Sequence, residues 1–229
     1  MASATDNTPS SEATLDTLLT GYLAGSLPPP VQVLVEAHLE LNPESRRWAS
    51  CLETVGGEVL DRLDPVAPRG RDAKLDAIFA LDADPAPDAT LGSPVALPTG
   101  IGPSGLPASI ERYVGRSLSD VPWRTRLPGI REWKARSEDG YVASLFCLRA
   151  GHGLPPHTHR GTEMTLVLHG SFTDTTSRYG AGDISIADDE IDHRPVADPG
   201  GDCIGFVVTN AGLRLTGRIG RLLAPFTRQ

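Results

Sequence analysis

Apolar residues return at helical intervals through the first third of the chain. Leu15, Leu18, Leu19, Tyr22 and Leu23 fall on one face after a start at Ser11 or Thr14, and Gly25 stands where a left-handed residue ends a helix. Pro28-Pro29-Pro30 opens a second helix, whose Val31, Leu34, Val35, His38 and Leu41 share a face until Asn42-Pro43. Asn42 is placed to cap a third helix bearing the stripe Trp48, Cys51, Leu52, Val55, Val59, Leu60 and Leu63. Pro65 and Pro68 stop it, and a shorter fourth helix carries Leu75, Ile78, Phe79 and Leu81. Three packed helices with a fourth tethered beyond them are predicted. The fourth is expected to be buried within the chain, because a single apolar stripe ordinarily covers a local core.

The period then disappears and returns as two. From Asp82 to Ala108 the chain is rich in Pro, Gly and Ala, which predicts a semi-extended interdomain linker. After Trp123 come short alternating segments: IREWKARSE, a hairpin signal at Asp139-Gly140, then YVASLFCLR, SFTDTTSRY, DISIA, CIGFVVT and LRLTG, with glycines and prolines between them. Many short strands closed by turns predict a sandwich or small barrel of the jelly-roll class, with LLAPF lying across one edge.

Composition excludes more than it selects. With 39% hydrophobic and 22% charged residues in 229, disorder of the whole chain is not expected. No long apolar run and no signal-peptide pattern is present, so the cytoplasm is the expected compartment and no membrane contact is expected. Cys51, Cys147 and Cys203 are odd in number and unpaired in spacing, which argues against a disulfide framework. The net charge of -8 divides unevenly: residues 1–90 hold 15 acidic and 6 basic side chains, giving -9, and the remainder hold 14 and 15, giving +1. Such an acidic segment does not bind nucleic acid by neutralising phosphates, and it would be steered toward a basic protein.

The chemistry concentrates in GHGLPPHTHRGTEMTLVLHG, residues 151–170. His157 and His159 are two apart and point to one side of a strand, and Glu163 returns to the same side if Arg160-Gly161 lets the chain bend. His193, in DDEIDHRPV, supplies a fourth ligand from a neighbouring strand. Three imidazoles and a carboxylate suit one divalent ion, zinc first, with iron, manganese or nickel also matching the donors. His152 is expected at the mouth of the site and His169 beyond an apolar segment, neither as a ligand. Asp183 is expected to form a turn. Asp188, Asp189, Glu190 and Asp192 are expected to be solvated, unless one of them orients the His193 imidazole. Trp123 and Trp133 are expected as core anchors.

The spacing G-x5-H-x-H-x3-E-x6-G, filled by Gly151, His157, His159, Glu163 and Gly170, resembles the first metal motif of the cupins. The second cupin motif has a Pro-x-Gly turn before its histidine, where this chain has Ile186-Ala187-Asp188. HTHRGTEMTLVLHGSFTDTTSRYGAGDISIADDEIDH is similar to the cupin half of ChrR-type anti-sigma factors. That resemblance implies an α + β chain of two domains, a small N-terminal helical bundle followed by a C-terminal cupin (a jelly-roll β-barrel). The expected layout is a lead-in at 1–13, a helical domain at 14–81, the linker at 82–108 and the cupin at 109–229. Zinc-containing anti-sigma domains of this group end their second helix in H-x3-C-x2-C. Here His38 remains but Asn42 and Ser45 take the thiolate positions, so no zinc is expected in the helical domain, and His38 is expected in its core or rim.

The resemblance further implies that residues 14–81 hold an extracytoplasmic-function sigma factor inactive, while the cupin metal senses oxidative or chemical stress without catalysing a reaction. No catalytic residues and no direct nucleic-acid contact are expected, and a homodimer through the cupin is the self-association allowed for. A cupin metalloenzyme of the dioxygenase kind, and a non-catalytic small-molecule-binding cupin, are the competing functions.

Overall fold

The computed structural model describes residues 11–81 and 99–216, with side chains from residue 15 onward. Its first part is helical: α1 (Ser11–Leu23), α2 (Pro29–Leu41), α3 (Pro43–Asp61) and α4 (Arg71–Phe79). The caps follow from the sequence. Gly25 takes φ 63°, the Ser26 N–H donates to Gly21 O and the Gly25 N–H to Tyr22 O, each at 3.0 Å, which ends α1 in a Schellman turn. Asn42 Oδ1 accepts from the Glu44 and Ser45 N–H groups at 3.1 Å, with Pro43 behind it, so one residue closes α2 and opens α3.

α2 is buried on nearly every side. Pro30, Val31, Leu34, Val35, Ala37, His38, Leu39 and Glu40 are all withdrawn from solvent. The helix packs against α1 and α3 on one side and against the β-sheet on the other, and Leu34, Val35 and Leu39 share one continuous core with Leu145, Leu166, Phe206 and Val208. Because α2 faces both ways, it leaves little core for the helices after it. α3 buries only Ser45 and Ala49, whereas Val55, Val59, Leu60 and Leu63 are 55–68% exposed. α4 buries nothing, with Phe79 at 81% exposure, so the expectation of a buried fourth helix is corrected.

The end of the Pro/Gly-rich stretch is built onto α2. The Gly100 N–H donates to Glu40 O at 2.9 Å, Leu106 is fully buried, and the Glu40 carboxylate accepts from the Ala108 and Ser109 N–H groups at 2.7 and 2.9 Å. Those two donors open a short helix, α5 (Ala108–Val114), which the sequence pattern did not reveal.

The strands follow in order: β1 (Arg124–Leu127), β2 (Ile130–Glu138), β3 (Tyr141–Leu148), β4 (His157–His159), β5 (Glu163–His169), β6 (Ser171–Thr173), β7 (Arg178–Gly180), β8 (Ile184–Ala187), β9 (Val196–Ala197), β10 (Cys203–Thr209) and β11 (Leu213–Leu215). The paired strands among the described residues are all antiparallel, as a jelly roll requires. A six-stranded sheet runs β1-β2-β3-β10-β5-β8, and two small sheets, β11-β4 and β7-β6-β9, accompany it without closing into a barrel among the described residues. The Asp139-Gly140 hairpin has both central residues at positive φ, 49° and 79°, joining β2 to β3. Gly170, at φ 67°, turns β5 into β6 so close to the Asp202 carbonyl that no side chain fits. The LLAPF segment lies outside the described residues.

Candidate metal centre

β4 presents His157 and His159 on one side of a three-residue strand, through the alternation that any strand imposes. His193 is laid beside His157 by an exchanged pair of backbone bonds, His157 N–H to His193 O at 3.0 Å and the reverse at 2.9 Å. The turn through Arg160 and Gly161 returns the chain so that Glu163, at the start of β5, faces the same point. The Nε2 atom of His193 lies 3.1 Å from both His157 Nε2 and His159 Nε2, and Glu163 Oε1 lies 3.7 Å from His159 Nε2. The four ligand atoms lie within 4.8 Å of one another, the one such cluster among the described residues.

The proton arrangement fits a cation. Pro155 O is an acceptor 2.9 Å from His157 Nδ1, so that nitrogen carries the proton and Nε2 turns its lone pair inward. His193 Nδ1 does the same toward Asp174 Oδ2 at 3.2 Å. His159 Nδ1 is buried without a partner. Lone pairs 3.1 Å apart repel unless a cation lies between them, and the spacing suits one: metal–nitrogen bonds of about 2.0–2.1 Å put neighbouring ligands roughly 2.9–3.4 Å apart in octahedral or tetrahedral geometry.

Burial sets the charge states. His157, His159 and His193 are 0, 1 and 4% exposed. Desolvation pushes His157 down to about 4 and His159 down to about 3, each helped by its imidazole neighbours, so both are neutral, the form that ligates. The same burial pushes the Glu163 carboxyl up to about 7. For Asp174 burial opposes ionisation, but bonds from His193, Thr176 and the Ser177 N–H prevail and hold it at about 2.

The other candidates lie elsewhere. His152 is exposed, its Nδ1 3.1 Å from Ala150 O, and the His169 Nε2–H donates to Gly105 O at 2.8 Å. Asp183 closes its turn by accepting from the Gly180 N–H. The acidic loop meets β4 through its backbone, the carbonyls of Asp188 and Asp189 accepting from Thr158 Oγ1, while its side chains Asp188 and Asp192 accept from the Glu190 N–H and the Thr216 hydroxyl. The carboxylate beside His193 is instead Asp174, 3.2 Å from its Nδ1, which the sequence reading passed over. Its one signal was the Asp-x-Thr-Ser spacing of a side-chain-closed turn, with Asp174 Oδ1 accepting from the Thr176 and Ser177 N–H groups. Trp123 and Trp133 are half-buried against the core, with the Arg131 and Arg116 guanidinium groups over their rings.

The second position with metal-binding ancestry in the resemblance is differently employed. His38, 1% exposed, donates from Nδ1 to Gly182 O at 2.7 Å and accepts at Nε2 from the Ser45 hydroxyl at 2.8 Å, and Asn42 is occupied as a cap. No thiolate is offered there, and these donors do not fit a structural zinc.

Residues 112–212 match the model of the ChrR Cupin-like domain family. The anti-sigma-E factor ChrR of Cereibacter sphaeroides is 41% identical over 217 residues, covering 93% of this chain and 96% of that protein. The crystal structure of Rhodobacter sphaeroides SigE in complex with the anti-sigma ChrR aligns with a TM-score of 0.68 at 38% identity, over 85% of this chain and 96% of that one. Helices and strands are thus matched together in one alignment, and the chain belongs to the ChrR family of anti-sigma factors.

Proposed function

We propose that this protein binds an extracytoplasmic-function sigma factor through residues 14–81 and holds it inactive, and that its cupin carries one divalent ion, zinc first, as the sensor of oxidative or chemical stress. One observation carries the partner surface. In a member of this family, an apolar stripe along α3 and α4 and the residues just past their ends (Val55, Val59, Leu60, Leu63, Ile78, Phe79 and Leu81) is more than half exposed, with no core of its own to cover. Two helices joined by a Pro/Gly-containing connection and bearing such a stripe suit a clamp on another protein. The acidic balance of the first 90 residues favours a basic surface on that partner.

The metal belongs to His157, His159, Glu163 and His193. All three imidazoles are withdrawn from solvent, which suits an ion that is held and sensed better than one that meets substrate. A regulator acting on transcription works in the cytoplasm, and no described helix is long and apolar enough to cross a membrane.

Coexpression with an extracytoplasmic-function sigma factor from the same genome tests the proposal. The expected outcome is a complex that co-purifies and blocks run-off transcription from a promoter of that sigma factor. A folded, metal-loaded chain that neither binds nor inhibits the sigma factor would remove the assignment. Within the complex, Leu60→Asp and Phe79→Asp should each weaken binding by about 2 kcal/mol or more, while leaving the melting temperature of the free chain unchanged. Elemental analysis should return one metal ion per chain, and a value well above one would count against the ligand set.

A further inference from the structure

We infer that Asp174 is the positioning residue of the metal centre, fixing the tautomer of His193 so that its Nε2 lone pair faces the ion; the inference rests on the ligand set proposed above.

The two oxygens of Asp174 do separate work. Its side chain is 1% exposed. Oδ1 accepts from the Thr176 N–H at 2.8 Å, the Ser177 N–H at 3.0 Å and the Thr176 hydroxyl at 2.6 Å, which closes the turn between β6 and β7. Oδ2 is left for His193 Nδ1 at 3.2 Å. A carboxylate only accepts, so the imidazole proton must sit on Nδ1. The opposite tautomer would set a lone pair against the carboxylate and a proton on Nε2, the atom 3.1 Å from both partner imidazoles. His157 receives equivalent support from a backbone carbonyl, Pro155 O, which no side-chain substitution removes. His159 has no support at Nδ1. Among the described residues, Asp174 is therefore the side chain through which the orientation of a ligand is set. The same hairpin is pinned to the ligand loop by Thr175 Oγ1, which donates to Asp192 O at 3.2 Å, so the β7-β6-β9 sheet and the metal site are mechanically joined.

The Asp174→Asn substitution isolates this role. The amide oxygen keeps the turn, but the NH2 group now faces His193 Nδ1 and requires an acceptor there. The imidazole proton moves to Nε2 and blocks the ligand lone pair. In the full chain, Asp174→Asn is expected to weaken Zn(II) and Co(II) binding about 10- to 100-fold by chelator competition, as loss of such a partner does elsewhere. The visible spectrum of the Co(II)-loaded protein should change, and the metal-free melting temperature should hold. Thr176→Val, which removes the hydroxyl's bonds to Asp174 Oδ1 and to the Tyr179 hydroxyl but leaves Oδ2 and His193 untouched, should bind like wild type. Long-range 1H–15N spectra of the metal-free chain should show His193 protonated at Nδ1 in wild type and at Nε2 in Asp174→Asn. Unchanged metal affinity with unchanged tautomer in Asp174→Asn would overturn the inference. A wild-type chain that takes up no metal would sink the ligand assignment instead, and the tautomer measurement would still decide what Asp174 does.

Discussion

Glu40 sits in the last turn of α2, a place where the helix dipole disfavours negative charge, and it is 1% exposed. What holds it there is the start of α5, whose Ala108 and Ser109 N–H groups, 68 and 69 positions on, each donate to one carboxylate oxygen. Removing it leaves two buried donors unpaired, so Glu40→Ala should lower unfolding stability in urea by about 3 kcal/mol; a loss too small to measure would mean that water replaces the carboxylate. The thiols make a second check at this scale. Cys51 is exposed, whereas Cys147 and Cys203 are buried and burial pushes the Cys203 thiol up to about 12. A maleimide should therefore label one thiol per native chain and three after denaturation. Two labels on the native chain would show that the sheet opens. The convergence of His157, His159 and Glu163 was legible in the sequence because strand alternation and a short turn bring them together locally, and His193 because it is the one histidine well downstream of them. Asp174 and Glu40 were not, since each acts on a group far along the chain and neither belongs to a repeating pattern.

Element by element, boundaries were easier to read than burial. Prolines, glycines and Asn42 mark the helix ends, because those residues act on the backbone within a few positions. Which face is buried depends on what lies opposite, and the stripe on α3 and α4 that promised a local core has none. α2 did carry a signal that a one-face reading misses: PPVQVLVEAHLEL is apolar around most of its circumference, the pattern of a helix enclosed on all sides. His38 on that helix gives a pH test. Burial, outweighing the Gly182 carbonyl bond and the Asp183 charge, lowers its pKa from the ordinary 6.5. A depressed imidazole favours the folded state fully above 6.5, and that contribution is lost as pH falls through the lower folded value. Unfolding free energy should therefore drop as pH falls below 6.5 more steeply in wild type than in His38→Gln. Equal slopes would mean that His38 titrates alike in both states.

For the whole molecule the consequential fact is the shared core. Leu34, Val35 and Leu39 of α2 pack with Leu145, Leu166 and Phe206 of the sheet, and His38 bonds to Gly182 just before β8. β8 ends at Ala187, directly opposite Glu163, and the chain then runs through the loop clasped by Thr158 to His193. One strand thus has the neighbour of a candidate ligand at one end and the central helix at the other. An ion that binds only the folded cupin stabilises it by about 2.7 kcal/mol when present at 100 times its dissociation constant. If the shared core makes helix and sheet unfold together, that gain must reach α2 as well as the strands. Hydrogen exchange in the full chain should accordingly slow at the amides of Leu34 to Leu41 when Zn(II) is added, in step with β5 and β10, while α4, which buries nothing, exchanges at the same rate with or without the ion. Protection that rises in the strands and stays flat in α2 would show two independently stable parts, and a signal at the proposed metal site would then have to reach the helices proposed to hold the sigma factor by another route.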